Sequence, residues 1–234
     1  MFTRYKYAFT LAEVLITLGI IGVVAAITIP GLFMNYKAHR LRTQFLKSYS
    51  VIQQVFKQME SDDVSLDPST FSGGTVQSLF LKYLTGTVDC GKGNNASNKK
   101  FKPCYDYKDA SLGYYSLDKS KLSTMFFDDG QIVLPDGSLL MFENPNTTAD
   151  RNMAWVFVDL NGFNNPPNIL GYDLFTFEFL DGELRTMGDI QTKYNDMSKY
   201  CNFEKAYGNM NGIGCAKKAK ENTDYFKYIV RKYK

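Results

Sequence analysis

Glu13 is the only charged side chain in the thirty positions between Lys6 and Lys37, a strongly apolar stretch. A carboxylate near hydrocarbon is expensive, roughly 2.5 to 3.5 kcal/mol at the centre of a span. The 23 uncharged residues from Val14 to Tyr36 are enough to cross about 30 Å of lipid as helix without it. The chemistry open to such a group is ionic: either a cation answers it or it lies by accident near the interface. The cysteines form a second chemical set. Cys90 and Cys104, and Cys201 and Cys215, are two pairs with partners 14 positions apart. That pattern predicts two local disulfides in an oxidising compartment, each closing a loop worth roughly 3 kcal/mol. A zinc site is the alternative, but neither pair has the short spacing of a zinc ribbon.

A third set is oxygen-rich. Asp159, Asn161, Asn165 and Asp173 share one segment with Gly162, Pro166, Pro167 and Gly171. Calcium takes six to eight ligands, roughly, from such side chains and carbonyls. The spacing is not that of an EF-hand, only two of the four are carboxylates, and Asx-Gly-Pro clusters also build ordinary turns. The turn is the favoured reading; calcium is the one cofactor for which residues are available. Asp128-Asp129-Gly130 and Asp136-Gly137 fall at turn positions rather than in an acid–base arrangement. Gly91-Lys92-Gly93 is too short for a phosphate loop. The single histidine, His39, adjoins the apolar run, so the remaining chain lacks the commonest general base. An enzyme is not expected.

These side chains need elements to position them. At 234 residues the chain has room for one anchor and one head with a real core. Its net charge of +3 gives no basis for broad capture of nucleic acid. Eighteen Phe and sixteen Tyr suit β-rich packing. Leu41, Phe45, Tyr49, Ile52, Val55 or Phe56, and Met59 recur at steps of three or four, which extends the apolar run as an amphipathic helix. A helix from Phe9 to about Glu60 would be roughly 78 Å long. Pro30 removes one of its hydrogen bonds and predicts a kink. Asp62, Asp63, Asp67 and Pro68 end it, and VQSLFLKYL offers one further short helix. Beyond Thr124 the period becomes two. QIVLPDGSLLMF, AWVFVDL, LFTFEF and ELRTM read as four or so antiparallel strands. The Lys- and Tyr-rich tail reads as a solvated amphipathic end. The class is α+β, a long helix packed on an antiparallel sheet.

Residues 7–13, Y-A-F-T-L-A-E, with a short basic leader before them and an uncharged run containing Pro30 after them, resemble the N-terminus of a type IV prepilin or type II secretion pseudopilin. The resemblance implies a leader, 1–8, removed by a prepilin peptidase on the cytoplasmic side, where Arg4 and Lys6 favour retention. The cut falls between Ala8 and Phe9, with Ala8 where the family usually has Gly, and the same enzyme methylates the new amine of Phe9. Glu13 becomes the fifth mature residue and, as in the family, meets the amine of a neighbouring subunit, a register pin. The implied parts are a transmembrane and polymerisation helix, 9–36, an amphipathic half, 37–60, and a pilin-like head, 61–234, with the two disulfide loops. Some major pseudopilins bind calcium in a loop between head strands, placed like the segment from Asp159 to Asp173. A plain anchor, or a secretory signal cut near Ala25 or Ala26, accounts for the apolar run but not for F-T-L-A-E.

The expected function is therefore that of a structural subunit in a type IV pilus-like filament or a type II secretion pseudopilus. The partners implied are like or related subunits, the peptidase and methyltransferase, an inner-membrane assembly platform, and the lipid bilayer before assembly. Nucleic acid is not among them. The location implied is the bacterial inner membrane, single-pass with the head outside the cytoplasm, then a periplasmic or surface filament. The alternative is a membrane-tethered or exported domain that binds DNA or a surface ligand and uses the signal for delivery alone.

Overall fold

The computed structural model describes residues 9–71, 75–92, 103–106, 113–144 and 153–233. The leader, including Ala8, and most of the polar stretch GKGNNASNKK lie outside them. Helix α1 runs unbroken from Leu11–Ser61, 51 residues or about 77 Å. It passes through Pro30 as one helix, short of one ladder hydrogen bond. Its two halves live in different surroundings. From Phe9 to Tyr36 the large apolar side chains are exposed, Ile27 to 75% and Phe33 to 68%, except Met34, which is partly buried against the head. The apolar stretch has a mean hydropathy of 2.4 and is long enough to span a membrane. From Ala38 onward one stripe is buried: Leu41, Phe45, Ser48, Ile52, Val55, Phe56 and Met59. Val55 and Phe56 both face the core. Asp62 caps the end, and Asp63 turns the chain away with φ of 53°.

The stripe packs on a six-stranded antiparallel sheet formed by the described residues, in the order β1 Val88–Gly91, β2 Gln131–Val133, β3 Leu139–Glu143, β4 Met153–Asp159, β5 Leu174–Leu180 and β6 Glu183–Thr186. The four segments with period two supply β2 to β6; β1 was not legible. It is four residues long, and its pairing with β2 is broken by a bulge between Asp89 and Gly91. Helix α2, Thr75–Tyr83, covers that end through Phe80, whose ring lies 5.4 Å from Phe56 and 4.9 Å from Phe142. The tail is more structured than its composition indicates. It folds as α3 Met197–Tyr200, α4 Cys215–Glu221 and α5 Tyr225–Lys232, and α5 packs along α1.

Register explains what alternation in β5 means. Phe175, Phe177 and Phe179 point at α1, where Phe45 lies 4.9 Å from Phe175 and Phe56 stacks on Phe179 at 3.9 Å. Thr176 and Glu178 point the other way, yet both are fully buried. The second face of the sheet is covered as well, by irregular segments carrying Phe127, Tyr194 and their neighbours against Trp155 and Phe157. Glu178 tolerates this because the indole N–H of Trp155 and the backbone N–H of Lys193 donate to its two oxygens at 3.0 Å. Alternation here separates two buried faces of unequal polarity, not core from water.

The disulfides join Cys90 to Cys104 and Cys201 to Cys215, with Cα separations of 5.7 and 4.9 Å. The first ties β1 to the segment 103–106, whose Tyr105 is buried, and the second ties α3 to the start of α4. Phe45→Ala should lower unfolding free energy by about 3–5 kcal/mol, since a fully buried ring among Phe175, Phe177 and Phe226 leaves a cavity. The half-exposed Leu46→Ala should stay within about 0.5 kcal/mol. Denaturant unfolding of the full chain in detergent separates the two. Reducing both bridges should cost roughly 3 kcal/mol each by the same assay.

Candidate functional site

Glu13 occupies the N3 position of α1, and Thr10 is the N-cap. The Thr10 hydroxyl accepts from the Glu13 N–H at 3.2 Å, while the Glu13 carboxylate accepts from the Thr10 N–H and hydroxyl at 2.8 Å. This is a reciprocal capping box, which satisfies donors that the first turn of a helix leaves without intrahelical partners. The T-x-x-E pattern announces it, and sequence reading based on charge alone passed over it. The carboxylate points back toward Phe9, whose backbone nitrogen would be the new amine after cleavage between Ala8 and Phe9. Side chains on all sides of this turn are exposed, and among the described residues no part of the head meets Glu13.

The neck joins this helix to the head. Lys37 lies over the ring of Tyr172 at 5.2 Å, and the Arg42 guanidinium donates to the carbonyl of Asn222 at 3.2 Å. Behind Tyr172 sit the oxygen-bearing residues of the β4–β5 connection. Asp159 and Asp173 are brought together, both fully buried. Asp159 accepts from the Tyr114 hydroxyl at 2.8 Å and from the N–H groups of Asn161 and Gly162 at 3.2 and 2.9 Å. Asp173 accepts from the N–H groups of Asn168 and Ile169 at 3.0 and 2.7 Å. Asn161 and Asn165 instead clasp each other: each side-chain amide donates to the other's carbonyl. Gly162 has φ of 80°, and a Cβ there would collide with the carbonyl of Gly137. The two acids thus meet in the head's interior, while the two amides engage each other. The Asp159 and Asp173 oxygens hold backbone N–H groups, which is turn chemistry, and no step is assigned to calcium.

Other acidic groups are likewise engaged. Asp136 accepts from Ser138 and pairs with Lys47 at 2.7 Å, which closes the β2–β3 turn. Asp128, Asp129 and Glu143 approach within 4.8 Å because antiparallel pairing sets residue 129 opposite 143. Asp129 accepts the Asn144 N–H at 2.7 Å. A cleft of about 580 Å³ between α1 and β6 is lined by opposite charges that pair along its walls. The pairs are Lys57–Glu60, Arg185–Glu183 and Lys217–Asp189.

Burial and mutual repulsion push Asp159 up to about 8, and burial pushes Asp173 up to about 6 despite two N–H donors and nearby Lys37. Both values lie above the ordinary carboxyl range near 3.9. The native state therefore holds protons that the unfolded chain has already released, and stability falls as pH rises from about 4 to about 8. Asp159→Asn should flatten that slope in melting curves taken across this window. A chelator should leave the melting temperature unchanged.

No curated protein and no solved structure matches the chain. Its amino-terminal residues do have a match: 3–29 fit the family described as the prokaryotic N-terminal methylation motif, so the chain carries the signal of type IV pilin and pseudopilin precursors.

Proposed function

We propose that the chain is a structural subunit of a type IV pilus-like filament or type II secretion pseudopilus, and not an enzyme. The peptidase removes residues 1–8, Phe9 is N-methylated, and the subunit waits in the inner membrane with its head outside the cytoplasm. It then joins like or related subunits at an assembly platform. One observation carries this reading. About 39 Å of α1, from Leu11 to Tyr36, projects bare from the head with a carboxylate fixed at its tip. A tether for a binding domain needs the length and the apolarity, but not a carboxylate held at the fifth residue after the cut.

The bare helix supports polymerisation on physical grounds. Lipid can cover it in the membrane, and outside the membrane only other apolar helices can. In such a bundle a charge is tolerable only if paired, and the amine created at Phe9 is the cation that cleavage supplies. The capping box holds Glu13 until that partner arrives.

Mass spectrometry of the mature N-terminus should find N-methylated Phe9; a start at Met1 or near Ile27 would refute the processing step. Glu13→Leu should insert and be cleaved normally, accumulate in the membrane fraction, and be lost from sheared filaments. Glu13→Gln, which keeps the shape and loses the charge, should also fail or nearly so. Blotting of filament and membrane fractions reads both. Normal filament yield from both variants would leave Glu13 with its capping role alone.

A further inference from the structure

The neck carries more cation than the fold uses. As α1 leaves its apolar segment at Tyr36, the next two turns present Lys37, Arg40 and Arg42. Helix α5 brings others to the same level. Phe226, near its start, lies 5.9 Å from Phe45. Tyr233, just past its end, lies 6.3 Å from Tyr172, the ring beneath Lys37. From Phe45 to Lys37 and from Phe226 to Tyr233 the helices cover about 12 and about 10 Å. The two therefore run antiparallel, and the end of α5 comes down beside the point where α1 meets lipid. Tyr225, Phe226, Ile229 and Val230 form its buried face, so Lys227, Arg231 and Lys232 project outward.

The acids close by answer only part of this charge, and Arg231 and Arg42 share the field of Asp224 with Lys227. Asp224 pairs with Lys227 at 2.9 Å and Glu204 with Lys232 at 2.6 Å. Asp118 is occupied by the N–H groups of Tyr207 and Gly208 and the side-chain amide of Asn211. Among the described residues Arg40 and Arg231 form no salt bridge, and both are exposed. Cations on this flank oppose the orientation that Arg4 and Lys6 favour, a cost to insertion that the head's packing does not explain.

We propose that the neck is a docking surface for anionic phospholipid headgroups in the leaflet beneath the head. It goes beyond the filament reading and rests on the membrane-inserted stage of that reading. The apolar half of α1 fixes the height of the bilayer, so phosphates lie within reach of the long Lys and Arg side chains from the moment of insertion. Tyr36, 65% exposed, sits at the level where interfacial aromatics gather. Contact along both α1 and α5 seats the head upright on the membrane and is surrendered when the subunit leaves it.

The full-length chain, reconstituted in phosphatidylcholine bilayers, tests this with trace spin-labelled phosphatidylglycerol or spin-labelled phosphatidylcholine. The fraction of motionally restricted label reports association. Phosphatidylglycerol should be favoured about three- to fivefold at low salt. The preference should fade toward parity near 1 M salt, where the Debye length is about 3 Å. Arg40→Gln combined with Arg231→Gln should at least halve the preference, and Arg40→Lys combined with Arg231→Lys should retain it; both pairs alter exposed side chains, and head melting checks the fold. Equal restriction of the two lipids, or an unchanged preference in the Gln pair, overturns the proposal. So does loss of filament yield by the Gln pair with lipid preference intact, because the neck would then serve a second copy of the chain. Glu13→Leu should leave the lipid preference untouched, so this proposal and the filament reading fail separately.

Discussion

The molecule depends on one continuous helix meeting two solvents. Up to Tyr36 α1 must be apolar all round, because lipid surrounds it; from Ala38 it must be apolar on one stripe only, because the head covers one side. No loop separates the two regimes, so the orientation of the anchor is set by how Phe45, Ile52, Val55, Phe56 and Met59 seat on the sheet. The rings of Phe175, Phe177 and Phe179 provide that seat, and edge-on and stacked contacts between aromatics add to simple burial. Sheet order follows from it: β3, β4 and β5 lie at the centre, where a face toward α1 and a face toward the irregular segments are both buried.

Polar chemistry is confined to places where backbone needs it. Glu13 closes the exposed amino-terminal end of α1. Asp159 and Asp173 gather N–H groups that a long connection inside the head would otherwise leave orphaned. Glu178 does the same for an indole and a loop amide. Each carboxylate is costly where it stands, and each offsets part of that cost by satisfying donors that are costlier unpaired. The acid pair makes the head sensitive to pH without implying a reaction.

The cysteine pairs and the tail show the same economy at larger scale. A bridge from Cys201 to Cys215 pins an Asn- and Gly-rich segment so that α4 and α5 can lie on α1. Lys220 then rests on the Tyr49 ring at 4.3 Å, which ties the tail to the amphipathic half of the helix. A region that composition marks as solvated is thereby half core: Tyr225, Phe226, Ile229 and Val230 are buried.

Local pattern in the sequence was enough for the anchor, its continuation past the neck as a one-sided amphipathic helix, the cysteine pairing, the hairpin at Asp136-Gly137 and the strands from Gln131 onward. These are short-range properties: residues within a few positions of one another determine a 3.6-residue stripe, a two-residue alternation or a turn. The processing signal was legible for the same reason, since a peptidase reads a contiguous stretch. Only tertiary structure decided the rest. β1 is too short and too irregular to show a period, and it exists because β2 and α2 complete it. Asp159 and Asp173 are 14 positions apart, and only the β4–β5 pairing brings them to one buried point, where their oxygens take up N–H donors. Lys37 and Arg231 are nearly two hundred positions apart, and they share the neck because α5 descends along α1. Sequence spacing carries no trace of such juxtapositions, since each depends on how distant apolar faces settle against one another.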